Sequence, residues 1–329
     1  MTYLNITSRN FNNHSDESHG VRYIWATYYM SVLTLTLLGD SVILIASIKF
    51  GAIKINPYLV AIIQHLAVCD LMTTVFNHFT TAVAFLANKW VLGYHYCYIS
   101  ALMAYYTVGT APMLTCLMIT SKLIMVKRQN SNLARYMTSG MAHMLCSGIW
   151  ASSFLIPSLV LALTVGYDSI YFDRSIGLCE FEVSTRSWHI LGISFLVVYF
   201  FLPFTVITAS AALLIKHLLS AHRIARLVGR SKRWQGIVTV FITAIIFMAT
   251  SAPIAAYIIV KISGTNNATN FSEFYRICYA FQSLNVVCNF FIYSFSVTSF
   301  RQFLCSKVSI VNKQGEKNQI ISLINDTGV

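Results

Sequence analysis

Two acidic residues stand within long apolar stretches of this 329-residue chain. Asp40 lies in the segment LLGDSVIL and Asp70 in the segment LAVCDL. A charged side chain at the centre of a membrane helix costs at least roughly 2.5 kcal/mol, so each carboxyl group needs a partner. Such groups could bind a cation, relay protons or form a structural hydrogen-bonded network. We therefore ask first which elements position them.

Those elements are predicted to be membrane-spanning helices. Only 10% of the residues are charged and 56% are hydrophobic, whereas a soluble domain carries about 25% charged residues. A membrane span needs about 20 mainly apolar residues. Seven stretches qualify, at 24–48, 58–85, 97–126, 139–164, 189–215, 236–261 and 274–298. The sequence predicts an all-α membrane protein with a seven-transmembrane helix bundle.

The basic residues predict the orientation of this bundle. Sixteen of the 23 Lys and Arg residues fall at one set of span ends and loops, and positive residues favour the cytoplasmic side. The N-terminus is then extracellular and the C-terminus cytoplasmic, as in a multi-pass plasma-membrane protein. Nucleic-acid binding is disfavoured, because cations at span ends contact anionic lipid or a cytosolic partner.

Three regions follow from this orientation. Residues 1–23 form an extracellular N-terminus whose Asn5 and Asn13 begin glycosylation motifs. Residues 24–298 form the transmembrane domain, and residues 299–329 a short cytoplasmic tail.

The cysteines divide by predicted location. Cys97 and Cys179 fall in outer segments, where the oxidising environment allows a disulfide that would pin the loop over the bundle. Cys305 follows the last span on the inner side, so palmitoylation and a plain thiol are both open. No C-x2-C spacing occurs, and we predict no structural metal.

Several short motifs occur together in one order. The chain resembles the rhodopsin-like (class A) G protein-coupled receptors as a divergent member, and the resemblance implies a short amphipathic helix eight near Phe300 and Arg301. The matching features are WVLGYHYC at 90–97, LAVCDL at 66–71, Trp150 with Pro157, Pro203, Phe247 with Pro253, and NFFIY at 289–293.

The resemblance gives the two acids a shared setting. It implies that Asp70 occupies the family's sodium-binding carboxylate position, faced by Asn285 and Asn289, and that Asp40 stands where most members carry Asn. One of the two acids should then be protonated at neutral pH, because like charges repel. Ala111 replaces the usual Ser of this site, which leaves sodium at Asp70 an open expectation. No other cofactor is expected.

The activation switch implied by the resemblance is altered. Ser121, Lys122 and Leu123 fall on the D-R-Y position, so a lysine replaces the arginine and no acid restrains it. Lysine keeps the charge but lacks the planar fork of arginine. The remaining switch positions implied by the family are Phe247, Ser251 in place of Trp, Pro253, Asn289, Phe290 in place of Pro, and Tyr293.

The outer half of the bundle suggests a ligand class. Ala104 stands where amine receptors carry Asp, which disfavours a monoamine, and no lysine lies mid-span in helix seven for a retinal Schiff base. We expect a pocket around Ala104, Tyr105, Tyr257 and Tyr279, and an aromatic pocket under acidic residues suits a basic or amidated peptide. Interfacial aromatic belts and solvated loop charges explain the same pattern equally well. The residues concerned are Tyr28, Tyr29, Phe79, Phe85, Tyr105, Tyr106, Tyr257, Tyr275 and Tyr279, with Asp168, Asp173, Glu180 and Glu182 around Cys179.

Three functions are compatible with these residues. The first is a receptor that passes the binding of an extracellular ligand to heterotrimeric G proteins and arrestin. The second is a non-signalling scavenger or co-receptor of the same fold, which the altered Ser121-Lys122-Leu123 segment favours. The third, a transporter or intramembrane enzyme using Asp40 and Asp70, is disfavoured because the chain lacks inverted repeats and a GxGD-like motif. The chain is therefore not expected to be an enzyme.

Overall fold

The computed structural model of the protein describes most of the chain and leaves several connecting segments and both ends undescribed. The described residues are 19–49, 56–127, 137–164, 170–174, 176–181, 190, 192–225, 232–263, 268–296, 300–302 and 305.

Within these residues, seven helices are long and apolar enough to cross a membrane, as the hydropathy pattern predicts. Six are given by α1 (His19–Ile48), α2 (Pro57–Thr73, continuing through Thr74–His78 to Phe79–Ala87), α3 (Tyr94–Lys127), α4 (Ser139–Thr164), α6 (Lys232–Ser263) and α7 (Ala268–Ser296). The remaining helix, α5, has its membrane-spanning part at Gly192–Lys216. It includes a π-helical segment, Leu196–Phe201, and continues as an α-helix over Leu202–Ala225.

Helix α2 shows how local sequence defines an element. Pro57 occupies its first turn, where a missing N–H costs nothing, and the Asn56 side chain accepts a hydrogen bond from the backbone N–H of Tyr58 at 2.9 Å. In its middle, Thr74–His78 forms a π-helical turn. Such turns shift the register of the residues that follow and are frequent at functional sites.

A β-hairpin between α4 and α5 adds to the predicted helices. Strand β1 (Ile170–Asp173) pairs antiparallel with β2 (Leu178–Phe181). Gly177 has a φ of +71°, which favours glycine, and a Cβ there would also press on Phe85 of α2 at 3.1 Å.

The Cys97–Cys179 disulfide ties this hairpin to the start of α3. Phe172 of β1 packs against Trp90, with ring centroids 5.8 Å apart. Trp90 in turn donates to the carbonyl of Gly93 at 2.7 Å, and Gly93 has a φ of +79°. The WVLGYHYC segment therefore forms the turn that supports the hairpin, and we call this end of the bundle the hairpin end.

Helix α3 lies centrally and packs against α2, α4, α5 and α6, while α1 packs against α2 and α7. The α1–α7 contact is close, because a Cβ on Gly39 would lie 2.7 Å from Cγ of Phe290. Phe290 is the residue that replaces the family's proline. Gly39 therefore provides the space that this larger side chain needs.

Candidate functional site

A partly open cavity of about 90 Å³ lies beneath the hairpin, between α3, α5, α6 and α7. All four residues predicted for the pocket, Ala104, Tyr105, Tyr257 and Tyr279, line it. They are joined by Glu180 from the hairpin, Tyr275 and Gln282 from α7, and Phe195 from α5. We call this space the upper cavity. Its volume fits a side chain or terminal group of a ligand better than a whole large molecule.

Glu180 is the acidic residue that lines the upper cavity. Tyr171 of β1 donates to its Oε2 at 3.0 Å, and Tyr275 of α7 donates to its Oε1 at 2.9 Å. The negative charge of Glu180, with burial, raises the pKa of the Tyr171 phenol above its ordinary value. Tyr275 also stacks on Tyr257, with centroids 4.0 Å apart and an interplanar angle of 9°. The carboxylate is thus held by two phenols beside an aromatic wall.

The other aromatic residues that the sequence pointed to for a pocket do not line this cavity. Tyr28, Tyr29 and Phe85 pack with the hairpin residues Ile176 and Leu178 in an apolar cluster of α1, α2 and α7 side chains. Tyr106 packs at a tilt against Trp150, with ring centroids 5.2 Å apart, and Phe79 is 37% exposed. Composition shows that aromatic residues are frequent in this half of the bundle. Which of their rings line the cavity depends on the face of the helix that carries each one.

A second cavity of about 40 Å³ continues deeper into the bundle. Val108, Tyr279 and Gln282 line both spaces, so the two cavities adjoin. The deeper space, which we call the lower cavity, has room for about two or three water molecules. Its wall includes Asp70, Asn77, His78, Ala111, Phe247, Ser251 and Asn285.

Asp70 is buried at the floor of the lower cavity and is 1% exposed. Asn289 of α7 donates from Nδ2 to its Oδ2 at 2.7 Å, and Asn285 lines the same cavity. Asp40 is equally buried and interacts electrostatically with Asp70. Neither oxygen of Asp40 has a hydrogen-bond partner among the described residues. The structure thus places the two acids near each other. Protonation of one of them at neutral pH stays a prediction.

Sodium binding at Asp70 stays a prediction. Ala111 contributes a methyl group to the cavity wall where the family carries a hydroxyl. Hard cations such as sodium require several oxygen ligands. Among the described residues, no group of three or more His, Cys, Asp or Glu could hold a metal.

The predicted switch residues lie below this cavity. Ser121 is 2% exposed, donates to the carbonyl of Leu117 at 2.6 Å, and lies 3.4 Å from the hydroxyl of Tyr58. Lys122 is partly exposed, and no carboxylate among the described residues forms an ion pair with it. A hydroxyl contact between α3 and α2 therefore stands where the family has its acid–arginine pair.

The switch positions on α6 and α7 connect the lower cavity to the bundle core. Phe247 is buried against Ile119 and Ile207, with Leu123 packed at the edge of the same cluster. Tyr293 donates to Sδ of Met118 at 3.5 Å. Phe247 and Ser251 also line the lower cavity, and Pro253 lies within α6. Side chains of α3, α6 and α7 thus meet beneath one polar space.

Sequence reasoning missed two residues of this polar space. Asn77 and His78 sit on the π-helical turn of α2 and line the lower cavity, each 1% exposed. Oδ1 of Asn77 and Nδ1 of His78 lack partners in the described part of the chain. Two adjacent polar residues in an apolar span could have been recognised in the sequence as candidate site residues. The direction in which their side chains point, however, depends on the π-helical turn.

Some predicted sites lie outside the described residues. These are Asn5, Asn13, Asp168, Glu182 and most of the predicted helix eight. Cys305 is described as an exposed free thiol, and its palmitoylation stays a prediction.

Comparison with known proteins identifies the family of this fold and site. The family described as "7 transmembrane receptor (rhodopsin family)" matches residues 41–293. The chain belongs to this rhodopsin family of seven-transmembrane receptors, whose members are receptors and not enzymes.

Solved and curated relatives agree with this assignment. The crystal structure of squid rhodopsin superposes with a TM-score of 0.75 at 14% identity, over 93% of this chain and 90% of that chain. This likeness concerns the fold alone.

The type-1 angiotensin II receptor B of Rattus norvegicus is 26% identical over 206 residues, covering 61% of this chain and 55% of that protein. The high-affinity lysophosphatidic acid receptor of Xenopus laevis is 25% identical over 194 residues, covering 58% of this chain and 49% of that protein. The chain spans about half the length of the curated relatives it matches.

Proposed function

We propose that this protein is a plasma-membrane receptor that binds an extracellular ligand in the upper cavity and activates a heterotrimeric G protein. Family membership supports the general class. The excess of basic residues at one set of span ends supports an extracellular hairpin end. A disulfide at that end is consistent with an oxidising compartment.

One observation carries the proposal: the upper and lower cavities share Val108, Tyr279 and Gln282. A ligand group in the upper cavity touches the wall of the space that contains Asp70 and Phe247. These two residues contact α7 and α3 deeper in the bundle. Differential contact with two arrangements of α6 and α7 is what allows a ligand to shift their equilibrium.

A basic or amidated peptide is the ligand class that the upper cavity favours. The cavity combines tyrosine rings with the carboxylate of Glu180 and has room for a side chain or terminus. The same carboxylate disfavours an anionic lipid headgroup. The two relatives above are named for different ligands, angiotensin II and lysophosphatidic acid, so both compounds belong in a test.

The test is a ligand screen on cells that express the full chain, with G protein dissociation and arrestin recruitment measured in parallel. Pools of amidated basic peptides, angiotensin II and lysophosphatidic acid are the probes. We expect a peptide pool to cause G protein dissociation that untransfected cells do not show. A response to lysophosphatidic acid or amines alone would refute the peptide class but leave the receptor function standing.

A second candidate, a scavenger or co-receptor without G protein activation, is favoured by one contact. Ser121 and Tyr58 hold α3 to α2 at the position of the family's switch, and Lys122 has no restraining acid among the described residues. This candidate predicts saturable ligand binding and uptake with no G protein dissociation in the same cells.

A further inference from the structure

The carboxylate of Glu180 is unusual among the polar groups of the upper cavity, because its neighbours hold it in place without neutralising it. Both of its hydrogen-bond partners are neutral phenols, one from the hairpin and one from α7. Within the described residues, no Lys, Arg or His forms an ion pair with it. Neutral hydrogen-bond partners leave the charge of this half-buried carboxylate without an opposite charge, whereas buried charges in proteins are usually paired.

The geometry leaves room for a cation on this carboxylate. An ionised carboxylate offers about four lone-pair sites over its two oxygens. Tyr171 occupies one site on Oε2 and Tyr275 one on Oε1. One acceptor site therefore remains on each oxygen, which is the pattern that a planar guanidinium or amidinium uses in a bidentate contact.

The aromatic wall next to Glu180 suits the same chemistry. Tyr257 and Tyr275 are stacked, and Tyr105 lines the same cavity. The faces of tyrosine rings attract cations, more strongly where water is excluded. Since the phenols already fix the carboxylate, little side-chain entropy is lost when a ligand binds.

We propose that Glu180 is the counter-ion for a cationic group of the ligand, a guanidinium, amidinium or protonated amine that enters the upper cavity beneath the hairpin. This inference rests on the proposed ligand-binding function of that cavity. It assigns the specificity for positive charge to the hairpin rather than to α3, where position 104 is alanine.

Binding of a matched pair of small probes tests this assignment on the purified full chain in lipid nanodiscs. Benzamidine carries an amidinium, whereas benzamide has nearly the same shape and no charge. We expect benzamidine to bind at least about tenfold more tightly than benzamide, as a charge-assisted hydrogen bond implies. Saturation-transfer NMR or the thermal midpoint of unfolding measures both affinities without a G protein.

Variants separate a direct contact from a general effect of charge. Glu180→Gln keeps the shape and should abolish the preference for benzamidine. Asp173→Asn removes the same charge from the same hairpin at a residue that does not line the cavity, and it should keep the preference. Equal affinities of the two probes in the wild-type protein, or an unchanged preference in Glu180→Gln, would overturn the proposal.

A folding defect in Glu180→Gln would not obscure the outcome. Tyr275→Phe removes the hydrogen bond to Oε1 but keeps the ring, and we expect a preference for benzamidine that persists at altered strength. The wild-type comparison of the two probes decides the question in any case. If benzamidine binds as expected but no ligand activates a G protein, the proposed signalling function fails and the counter-ion assignment stands.

Discussion

The contact between Gly39 and Phe290 gives a quantitative prediction about how this chain accommodates the loss of a proline. In Gly39→Ala the new methyl group would lie 2.7 Å from Cγ and 2.8 Å from Cβ of Phe290. Both distances are far below ordinary van der Waals contact. Turning the ring would not move the Cβ of Phe290, so α1 and α7 must separate. Overpacking of this kind costs about 1–3 kcal/mol.

A matched control isolates this cost from helix propensity. Gly148 lies in α4, and a Cβ there would meet nothing within 4 Å. Alanine is favoured over glycine in a helix by up to about 1 kcal/mol at either position. Gly148→Ala should therefore leave stability unchanged or raise it, and Gly39→Ala should be about 1–3 kcal/mol less stable than this control.

Thermal unfolding of the purified protein with a thiol-reactive dye measures the difference, since Cys69 and Cys146 are buried free thiols that report unfolding. A double-mutant cycle with Phe290→Gly completes the test, because this change removes both the ring and the Cβ. Without them, Gly39→Ala should no longer be destabilising. A cost of the same size in both backgrounds would refute the contact as its cause.

Three further predictions concern the polar core, the disulfide and the switch. Asn289→Leu should destabilise the fold by about 1–3 kcal/mol, because it leaves Asp70 without its donor, while Asn285→Leu should cost less in the same unfolding assay. Cys97→Ala should lower the unfolding free energy by about 2–4 kcal/mol and reduce surface expression, whereas Cys116→Ala, at a free thiol, should not. Lys122→Arg should increase ligand-dependent G protein activation, because the guanidinium fork makes contacts that an ammonium cannot. No gain with normal ligand binding would favour the scavenger or co-receptor.

The helices were predictable because the bilayer imposes a length and an apolar composition on every span. The predicted spans differ mainly at their ends. Helix α1 begins at His19 rather than 24, α6 at Lys232 rather than 236, and α7 at Ala268 rather than 274. Hydropathy detects only the part of each helix that faces the hydrocarbon core of the bilayer, whereas the helix itself continues into polar turns beyond that core.

The candidate site was only partly predictable. Counting residues from Cys97 placed Ala104 and Tyr105 on the face of α3 that lines the upper cavity. The hairpin that presents Glu180 depends on pairing between two short strands. No periodicity in the sequence predicted these strands. The π turn at Thr74–His78 rotates Asn77 and His78 toward the lower cavity, and its register is set by tertiary packing rather than by local propensity.

We propose that a ligand bound at the hairpin end changes the opposite end of the bundle. The most direct measurement is nucleotide exchange on a purified heterotrimeric G protein, with the full chain in lipid nanodiscs and a ligand whose binding has been shown separately. We expect saturating ligand to accelerate exchange, and Lys122→Arg to accelerate it further. Saturable ligand binding with no acceleration by either protein would contradict the claim.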